Sequence, residues 1–192
     1  MYSVRKGGYW AVAALLCLGF WQFGQGAYIP AKAWLAPELM QRAWDRASAG
    51  EERVAPWPWA DTWPVARLTA EARGVDLIVL AGGSGRTLAF GPGHLSASAM
   101  PGDVGNAIIG GHRDTHFQFL RTVEVGDLLG IEPTDGERHV YQVVGVDIVD
   151  SRGGSLVLDT NVAMLSLVTC YPFDALEAGG PLRYVVTARM LF

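Results

Sequence analysis

The chain has 192 residues, enough for one ordinary domain and a short additional segment but too few for two full domains. Half of the residues are apolar and 18% are charged, so a membrane segment has to be sought before a core is assigned. The formal net charge is −4 and no long basic run is present, which argues against nucleic acid as a partner.

The first apolar segment predicts a membrane anchor. Arg5 and Lys6 precede residues 7–31, which carry no charge. At about 1.5 Å per residue this run is long enough to cross a hydrocarbon core of about 30 Å. Because the basic side stays in the cytoplasm, we predict a cytoplasmic tail at 1–8 and a transmembrane signal-anchor at 9–29. The remainder is then extracytoplasmic (periplasmic), on a single-pass protein of the inner membrane.

A cleavable signal peptide is the alternative reading of the same segment. Residues 31–33 (A-K-A) have the small-x-small form of a cleavage site. The site would, however, lie well beyond the apolar run. Under either reading the rest of the chain is exported.

Residues 30–62 predict an amphipathic helix followed by a linker. Within 37–49, apolar residues recur at helical spacing, and Pro37 and Glu38 suit a first turn. Residues 56–59 (P-W-P-W) then break regular structure and lead into the next domain.

From residue 63 to the C-terminus the pattern is that of a mainly β domain. Short apolar or alternating runs are separated by Gly, Pro and Asp. The candidate strands are 64–68, 76–80, 106–110, 128–132, 139–149, 156–158, 163–169 and 182–189. Eight short strands at this spacing favour a closed or nearly closed β-barrel, with short helices near 91–98 and 115–120.

The two cysteines, Cys17 and Cys170, do not suit a disulfide. A bond between them would join a membrane segment to an exported domain, which geometry disfavours. Cys170 is therefore expected to be a free thiol. The sequence allows two roles for Cys170, either as a reactive nucleophile or as a small apolar residue of the core.

Four histidines could serve as an acid or base. His112 follows an apolar strand through two glycines and so sits where a buried strand emerges. His116 lies one helical turn further on, and spacing does not separate it from His112. His94 follows a turn sequence, and His139 begins an alternating strand and is expected at the surface.

Cys170 ends the apolar run 163–169, and Arg183 begins the last strand thirteen positions later. A hairpin between these strands would return Arg183 beside Cys170. A thiol, an imidazole and a guanidinium then supply a nucleophile, an acid or base and an oxyanion stabiliser. Acyl transfer through a thioester requires such a set.

Four features of the sequence resemble the sortase family. Residues 166–170 (S-L-V-T-C) are similar to its T-L-x-T-C motif, with Ser166 where Thr is usual. Residues 110–117 (G-G-H-R-D-T-H-F) resemble the segment around its catalytic histidine. Arg183 matches the arginine on the strand after the cysteine, and residues 91–94 and 101–106 resemble connecting segments. The similarity extends from about residue 63 to the C-terminus.

The resemblance implies a sortase-type eight-stranded β-barrel that acts as a cysteine transpeptidase. Cys170 would be the nucleophile, His112 the acid and Arg183 the oxyanion stabiliser, with Leu167 and Thr169 contributing to substrate binding. The implied partners are surface proteins with an LPXTG-like C-terminal signal, cleaved between Thr and Gly, and an amine acceptor at the cell surface.

The resemblance also implies a subclass of sortase and allows the family's calcium site to be sought. No acidic cluster resembles the calcium site of some sortases, and neither a metal nor a cofactor is expected. The D-T-H-F extension and the Trp-rich linker look most like sortases of Gram-negative bacteria.

Three other functions could use an exported cysteine or an exported β-barrel. L,D-transpeptidases of the cell wall carry a His-Gly-Cys cluster, which this sequence lacks. Papain-like peptidases place Cys before His along the chain, the reverse of the order here. A non-catalytic, membrane-anchored β-barrel that binds a protein partner, with Cys170 buried, stays open at this stage.

Overall fold

The computed structural model describes residues 3–191 except 155, 156, 159 and 176–178, and describes side chains within that range outside 3–7 and 23–34. The chain divides into two compact units, Met1–Glu38 and Leu39–Phe192. No helix in the described part of the chain is both long and apolar enough to cross a membrane.

The first element, α1, is a single helix over Ser3–Ser48. The sequence predicted two elements here, an anchor at 9–29 and a separate helix at 37–49, and the structure describes one continuous helix over this range. In the second unit, Ala43 and Ala47 lie on one face of α1 and pack with Val54.

Eight strands in the described residues form a closed barrel. They are β1 Pro64–Ala70, β2 Val75–Ala81, β3 Gly93–His94, β4 Gly105–Gly110, β5 Leu128–Pro133, β6 His139–Asp150, β7 Ala163–Cys170 and β8 Leu182–Met190. Their order around the barrel is β1-β2-β3-β4-β7-β8-β6-β5, with β5 closing on β1. The predicted β-barrel is thus confirmed.

The directions of β4, β7 and β8 bring one end of each strand to the same end of the barrel. β4 and β7 run parallel, whereas β7 and β8 are antiparallel. The C-terminal ends of β4 and β7 therefore lie at the same end of the barrel as the N-terminal end of β8.

The barrel interior is filled by alternate residues of each strand. On β7, Leu165 and Leu167 are fully buried, and Val186 and Ala188 oppose them from β8. Burial of each such leucine stabilises the fold by about 1.5–3 kcal/mol. Because side chains alternate along a strand, the residues between these point outward.

The predicted strand at 156–158 is wrong where the structure describes it. Residue 156 lies outside the described residues, while Val157 and Leu158 have no strand conformation and are exposed. Their backbone carbonyls are instead held by Asn106, whose side-chain Nδ2 donates to Val157 O at 2.8 Å and whose backbone N donates to Leu158 O at 2.9 Å.

The predicted helix at 91–98 is also wrong. That region contains β3, and the short helix α2 lies earlier, at Gly85–Leu88. Ser84 caps α2, because its Oγ accepts from Thr87 N at 3.2 Å. The helix expected at 115–120 is a 3-10 helix at Gln118–Thr122.

Candidate active site

Cys170 and Arg183 are direct cross-strand partners. The last residue of β7 faces the second residue of β8 in the antiparallel register. Such pairs have Cβ atoms about 4.5–5.5 Å apart and point to the same side of the sheet. Because Leu167 points inward, alternation directs Cys170 and Arg183 to the outer surface of the barrel. The Cys170 side chain is a free thiol and is half-buried.

His112 lies just beyond the neighbouring strand end. The β4–β7 ladder reaches Gly110 and Val168. Two further hydrogen bonds extend it, from Gly111 N to Val168 O at 3.1 Å and from Thr169 Oγ1 to Gly111 O at 2.7 Å. His112 directly follows Gly111, and Cys170 directly follows Thr169. The structure therefore brings the ends that carry them side by side, and the His112 side chain is exposed.

The turn after β4 requires glycine at position 111. A Cβ on Gly111 would lie 2.8 Å from the ring of Phe117, which is fully buried. Phe117 N donates to His112 O at 2.9 Å and closes the turn. Close packing between the Phe117 ring and the backbone thus fixes the position at which His112 leaves the barrel.

Arg113 is a residue of the site that the sequence analysis missed. Its side chain is buried, with Nη1 donating to Pro172 O at 2.7 Å and Nη2 to Ala175 O at 2.6 Å. Nε lies 3.3 Å from Asp114 Oδ1. Although Arg113 lies within the segment similar to the sortase histidine motif, no periodic pattern marks an arginine in a turn as buried.

The Arg183 guanidinium is held by its own hairpin. Nη1 donates to Gly180 O at 2.6 Å and to Leu182 O at 2.9 Å. Among the described residues, Nε and Nη2 have no hydrogen-bond partner, so they can donate to an added oxyanion. Asp150 lies near this charge. Its pKa is lowered to about 2, chiefly by the side-chain and backbone hydrogen bonds of Arg152 and least by the Arg183 charge.

His116 lies close enough to His112 for their charges to interact. Burial lowers the pKa of His116, and the charge of His112 lowers it further. Both effects favour the neutral imidazole of His116. Both candidate histidines of the sequence analysis thus lie in the turn after β4, while His94 is buried elsewhere, hydrogen-bonded to Ala99 O at 2.8 Å.

Leu167 and Thr169 are buried just before Cys170 on β7. Leu167 is 0% exposed and belongs to the core, and Thr169 is 2% exposed with its hydroxyl bound to Gly111 O. Ser166, which replaces the usual Thr of the family motif, is also buried and donates to Asn106 Oδ1 at 3.1 Å. Substrate binding by Leu167 and Thr169 stays a prediction.

An aromatic cleft follows Cys170 along the chain and was not foreseen. Its volume is about 280 Å³. Tyr171 and Tyr184 stack with ring centroids 6.1 Å apart, and Phe173 meets Tyr184 edge-on at 5.0 Å. The remaining lining residues are Arg121, Pro172 and Asp174. No group of three or more His, Cys, Asp or Glu side chains that could hold a metal ion occurs within the described ranges.

Comparisons with known proteins agree with this geometry. A family model described as Sortase domain matches residues 68–191. Sortase D of Bacillus subtilis (strain 168) is 34% identical over 112 residues, which cover 58% of this chain and 56% of that protein. The chain thus spans about half the length of this relative.

Solved structures show the same fold. A Sortase D5 transpeptidase of Clostridium perfringens is 24% identical, covers 67% of this chain and 79% of its own, and has a TM-score of 0.59. Sortase A of Corynebacterium diphtheriae is 22% identical, covers 84% of this chain and 88% of its own, and has a TM-score of 0.61. Because the family match extends over well more than half of the chain and includes the strands that carry Cys170 and Arg183, this protein belongs to the sortase family.

Proposed function

We propose that this protein is a cysteine transpeptidase in which Cys170, His112 and Arg183 form the catalytic set. The observation that carries the proposal is the strand register. Cys170 and Arg183 are paired across β7 and β8, and His112 follows the end of the adjacent parallel strand β4. All three groups belong to one end of the barrel.

In the first half-reaction the Cys170 thiolate attacks the carbonyl carbon of the scissile peptide bond. The carbonyl oxygen takes up negative charge, and Nε and Nη2 of Arg183 donate hydrogen bonds to it. The C–N bond then breaks, and His112 transfers a proton to the departing amine. The products are a thioester on Cys170 and a free amine.

In the second half-reaction an acceptor amine attacks the thioester carbonyl. His112, now neutral, takes the proton that the amine loses, and the C–S bond breaks to restore the Cys170 thiolate. The product is a new amide bond between the acyl group and the acceptor. No metal or cofactor enters either step.

The substrates we propose are surface proteins with an LPXTG-like C-terminal signal, cleaved between Thr and Gly, and an amine acceptor at the cell surface. Support for this substrate class comes from the motifs at 110–117 and 166–170. Leu167 and Thr169 would contribute to substrate binding by holding the end of β7 that carries Cys170, since their side chains are buried. The D-T-H-F extension and the Trp-rich linker support a sortase of the Gram-negative type.

We further propose a single-pass inner-membrane location with the barrel in the periplasm. The uncharged run at 7–31 behind Arg5 and Lys6 supports this orientation. Fusion of the C-terminus to a reporter that is active only outside the cytoplasm tests it. An active reporter in the membrane fraction is expected, whereas a cytoplasmic fusion protein would contradict the proposal.

The experiment for the catalytic function is capture of a labelled LPXTG-like peptide by the full-length chain. A covalent adduct that hydroxylamine releases is expected. Cys170→Ala should abolish it, and Cys17→Ala, which removes the other thiol, should not. An adduct that survives in Cys170→Ala would contradict the assignment. An inert Cys170 would favour a non-catalytic barrel, although its half-buried position at a strand end argues against a structural thiol.

A further inference from the structure

We propose that Arg113 is a positioning residue that fixes the His112 turn against the segment following Cys170. This inference rests on the proposed function, because its purpose is to hold the acid at the correct distance from the nucleophile. Arg113 is adjacent to His112 in the chain, and the two carbonyls that it binds belong to residues two and five positions after Cys170.

The connection is made where strand pairing has ended. The β4–β7 ladder stops at Gly110 and Val168, before either catalytic residue is reached. Beyond it, the bonds of Gly111 N and Thr169 Oγ1 extend the contact by one residue on each side. Arg113 then provides the link between the turn and the loop, through Nη1 to Pro172 O and Nη2 to Ala175 O.

Within the described residues, the backbone of the loop that Arg113 holds makes few hydrogen bonds. Tyr171 N donates to Leu182 O at 3.0 Å, and Ala175 N reaches Pro172 O only at 3.4 Å. The two guanidinium bonds, at 2.7 and 2.6 Å, are shorter and charge-assisted, and bonds of this type are about twice as strong as neutral ones. Arg113 therefore helps to order residues 171–175, together with the aromatic contacts of Tyr171 and Phe173.

Because Arg113 is buried, loss of its hydrogen bonds to Pro172 O and Ala175 O should be strongly destabilising. With the side chain only 9% exposed, water cannot readily replace either partner. Removing the guanidinium leaves carbonyl oxygens without a donor, whereas a lysine keeps the charge but offers a single nitrogen in place of the planar fork. Replacement of Arg113 by lysine therefore tests the geometry of the fork, and replacement by a neutral side chain tests the geometry and the charge together.

Arg113 differs in this respect from Arg183. Two hydrogen bonds of the Arg113 fork go to backbone oxygens within the protein, while Arg183 keeps two nitrogens available among the described residues. Arg113 is accordingly expected to act through His112 and Cys170 without touching the peptide. Misplacement of a catalytic group by about 1 Å can reduce a rate by about 100-fold.

The test compares Arg113→Lys and Arg113→Gln with the wild-type chain in single-turnover acylation by the labelled peptide. Both variants should acylate about 30- to 100-fold more slowly, with the peptide concentration for half-maximal rate changed by less than about threefold. Added guanidinium should restore part of the rate in Arg113→Ala, which a loss of stability alone would not allow.

The matched control is Arg67→Gln. Arg67 makes a two-bond contact with Asp76 at 2.6 Å, and β1 is separated from β7 by three strands in either direction around the barrel. This variant should acylate at the wild-type rate. Folded Arg113→Lys and Arg113→Gln proteins that acylate within threefold of wild type would overturn the inference, as would an equal slowing in Arg67→Gln.

Amide hydrogen exchange gives a second measurement that needs no peptide. Exchange at Tyr171 and Ala175 should accelerate at least tenfold (about 1.4 kcal/mol) in Arg113→Lys and stay unchanged in Arg67→Gln. Unchanged exchange in Arg113→Lys would overturn the inference. Failure of the wild-type chain to form any adduct would instead contradict the proposed function, so the two failures can be told apart.

Discussion

Arg183 is the direct antiparallel partner of Cys170, yet its Nη1 is bound to the carbonyl oxygens of Gly180 and Leu182. The guanidinium is therefore oriented by the hairpin that carries it, before any substrate arrives. Preorganised donors of this kind stabilise a developing oxyanion without having to reorient during the reaction.

Replacement of Arg183 by lysine should slow acylation. A lysine at this position lacks the planar fork through which Arg183 binds the hairpin carbonyls with Nη1 and keeps Nε and Nη2 for an oxyanion. We expect the acylation rate at saturating peptide to fall about 100- to 1,000-fold, the range for loss of an oxyanion donor. Stopped-flow or quenched-flow measurement of adduct formation gives this rate.

Arg189→Lys is the control for that variant. Arg189 is exposed on the same strand and pairs with Met164, far along β7 from the thiol. It should acylate at the wild-type rate. Comparable slowing in both arginine variants would point to a general effect on β8 and away from oxyanion stabilisation.

The two neighbouring histidines should separate clearly in activity. His112→Gln removes the proposed acid and should reduce acylation at least 100-fold, within the range for general acid–base catalysis. His116→Gln should stay within about tenfold of wild type, because this half-buried imidazole is assigned no proton-transfer step. A more severe loss in His116→Gln than in His112→Gln would reverse the assignment.

The lowered pKa of His116 also predicts a pH dependence of stability. Below the ordinary value of 6.5, the unfolded chain binds a proton at His116 more readily than the folded protein does. Protonation therefore favours unfolding, and this contribution to stability decreases as pH falls from 6.5 towards the folded pKa. Urea unfolding between about pH 7.5 and pH 5 should show a smaller decrease in His116→Gln than in wild type.

Much of the barrel could be predicted because its strands carry clear patterns. The apolar runs that became β4, β7 and β8 place their ends within one residue of the predicted bounds. Once the strand directions are known, it follows that the reactive residues at those ends lie at the same end of the barrel. The pairing of Cys170 with Arg183 needed only the assumption of a hairpin between two such runs.

Other features leave no local pattern in the sequence. The strand β3 has two residues, Gly93 and His94, and pairs with β2 and β4, which are distant in the sequence. Conversely, Val157 and Leu158 are apolar but form part of a loop held by Asn106. The burial of Arg113 depends on a loop sixty residues away, which no window of neighbouring residues records.

Thr169 should contribute to stability through its hydroxyl. Thr169→Val preserves the side-chain volume but leaves Gly111 O without a donor in a buried position, which costs about 1–3 kcal/mol. Thr169→Ser keeps the hydroxyl and should lose less. Urea unfolding measures both free energies. A Val variant as stable as the Ser variant would show that the Thr169 bond adds nothing.

Gly111 should tolerate no side chain while Phe117 is present. A Cβ at position 111 would lie 2.8 Å from the Phe117 ring, and this buried ring cannot move aside without disturbing the core. Overpacking of this kind costs about 1–3 kcal/mol, and it should also displace the backbone that carries His112. Gly85→Ala, where nothing lies within 4 Å of the new methyl group, should be neutral or slightly stabilising.

A double-mutant cycle separates this contact from a general effect of the alanine. Phe117→Leu removes the ring edge that the new methyl group would meet, so Gly111→Ala should cost less in the Phe117→Leu background than in wild type. Acylation lost in Gly111→Ala should recover in part in the double variant. Additive free energies would mean that the backbone, and not the ring, demands glycine at 111. In that case the position of His112 would depend on the conformation of the turn alone.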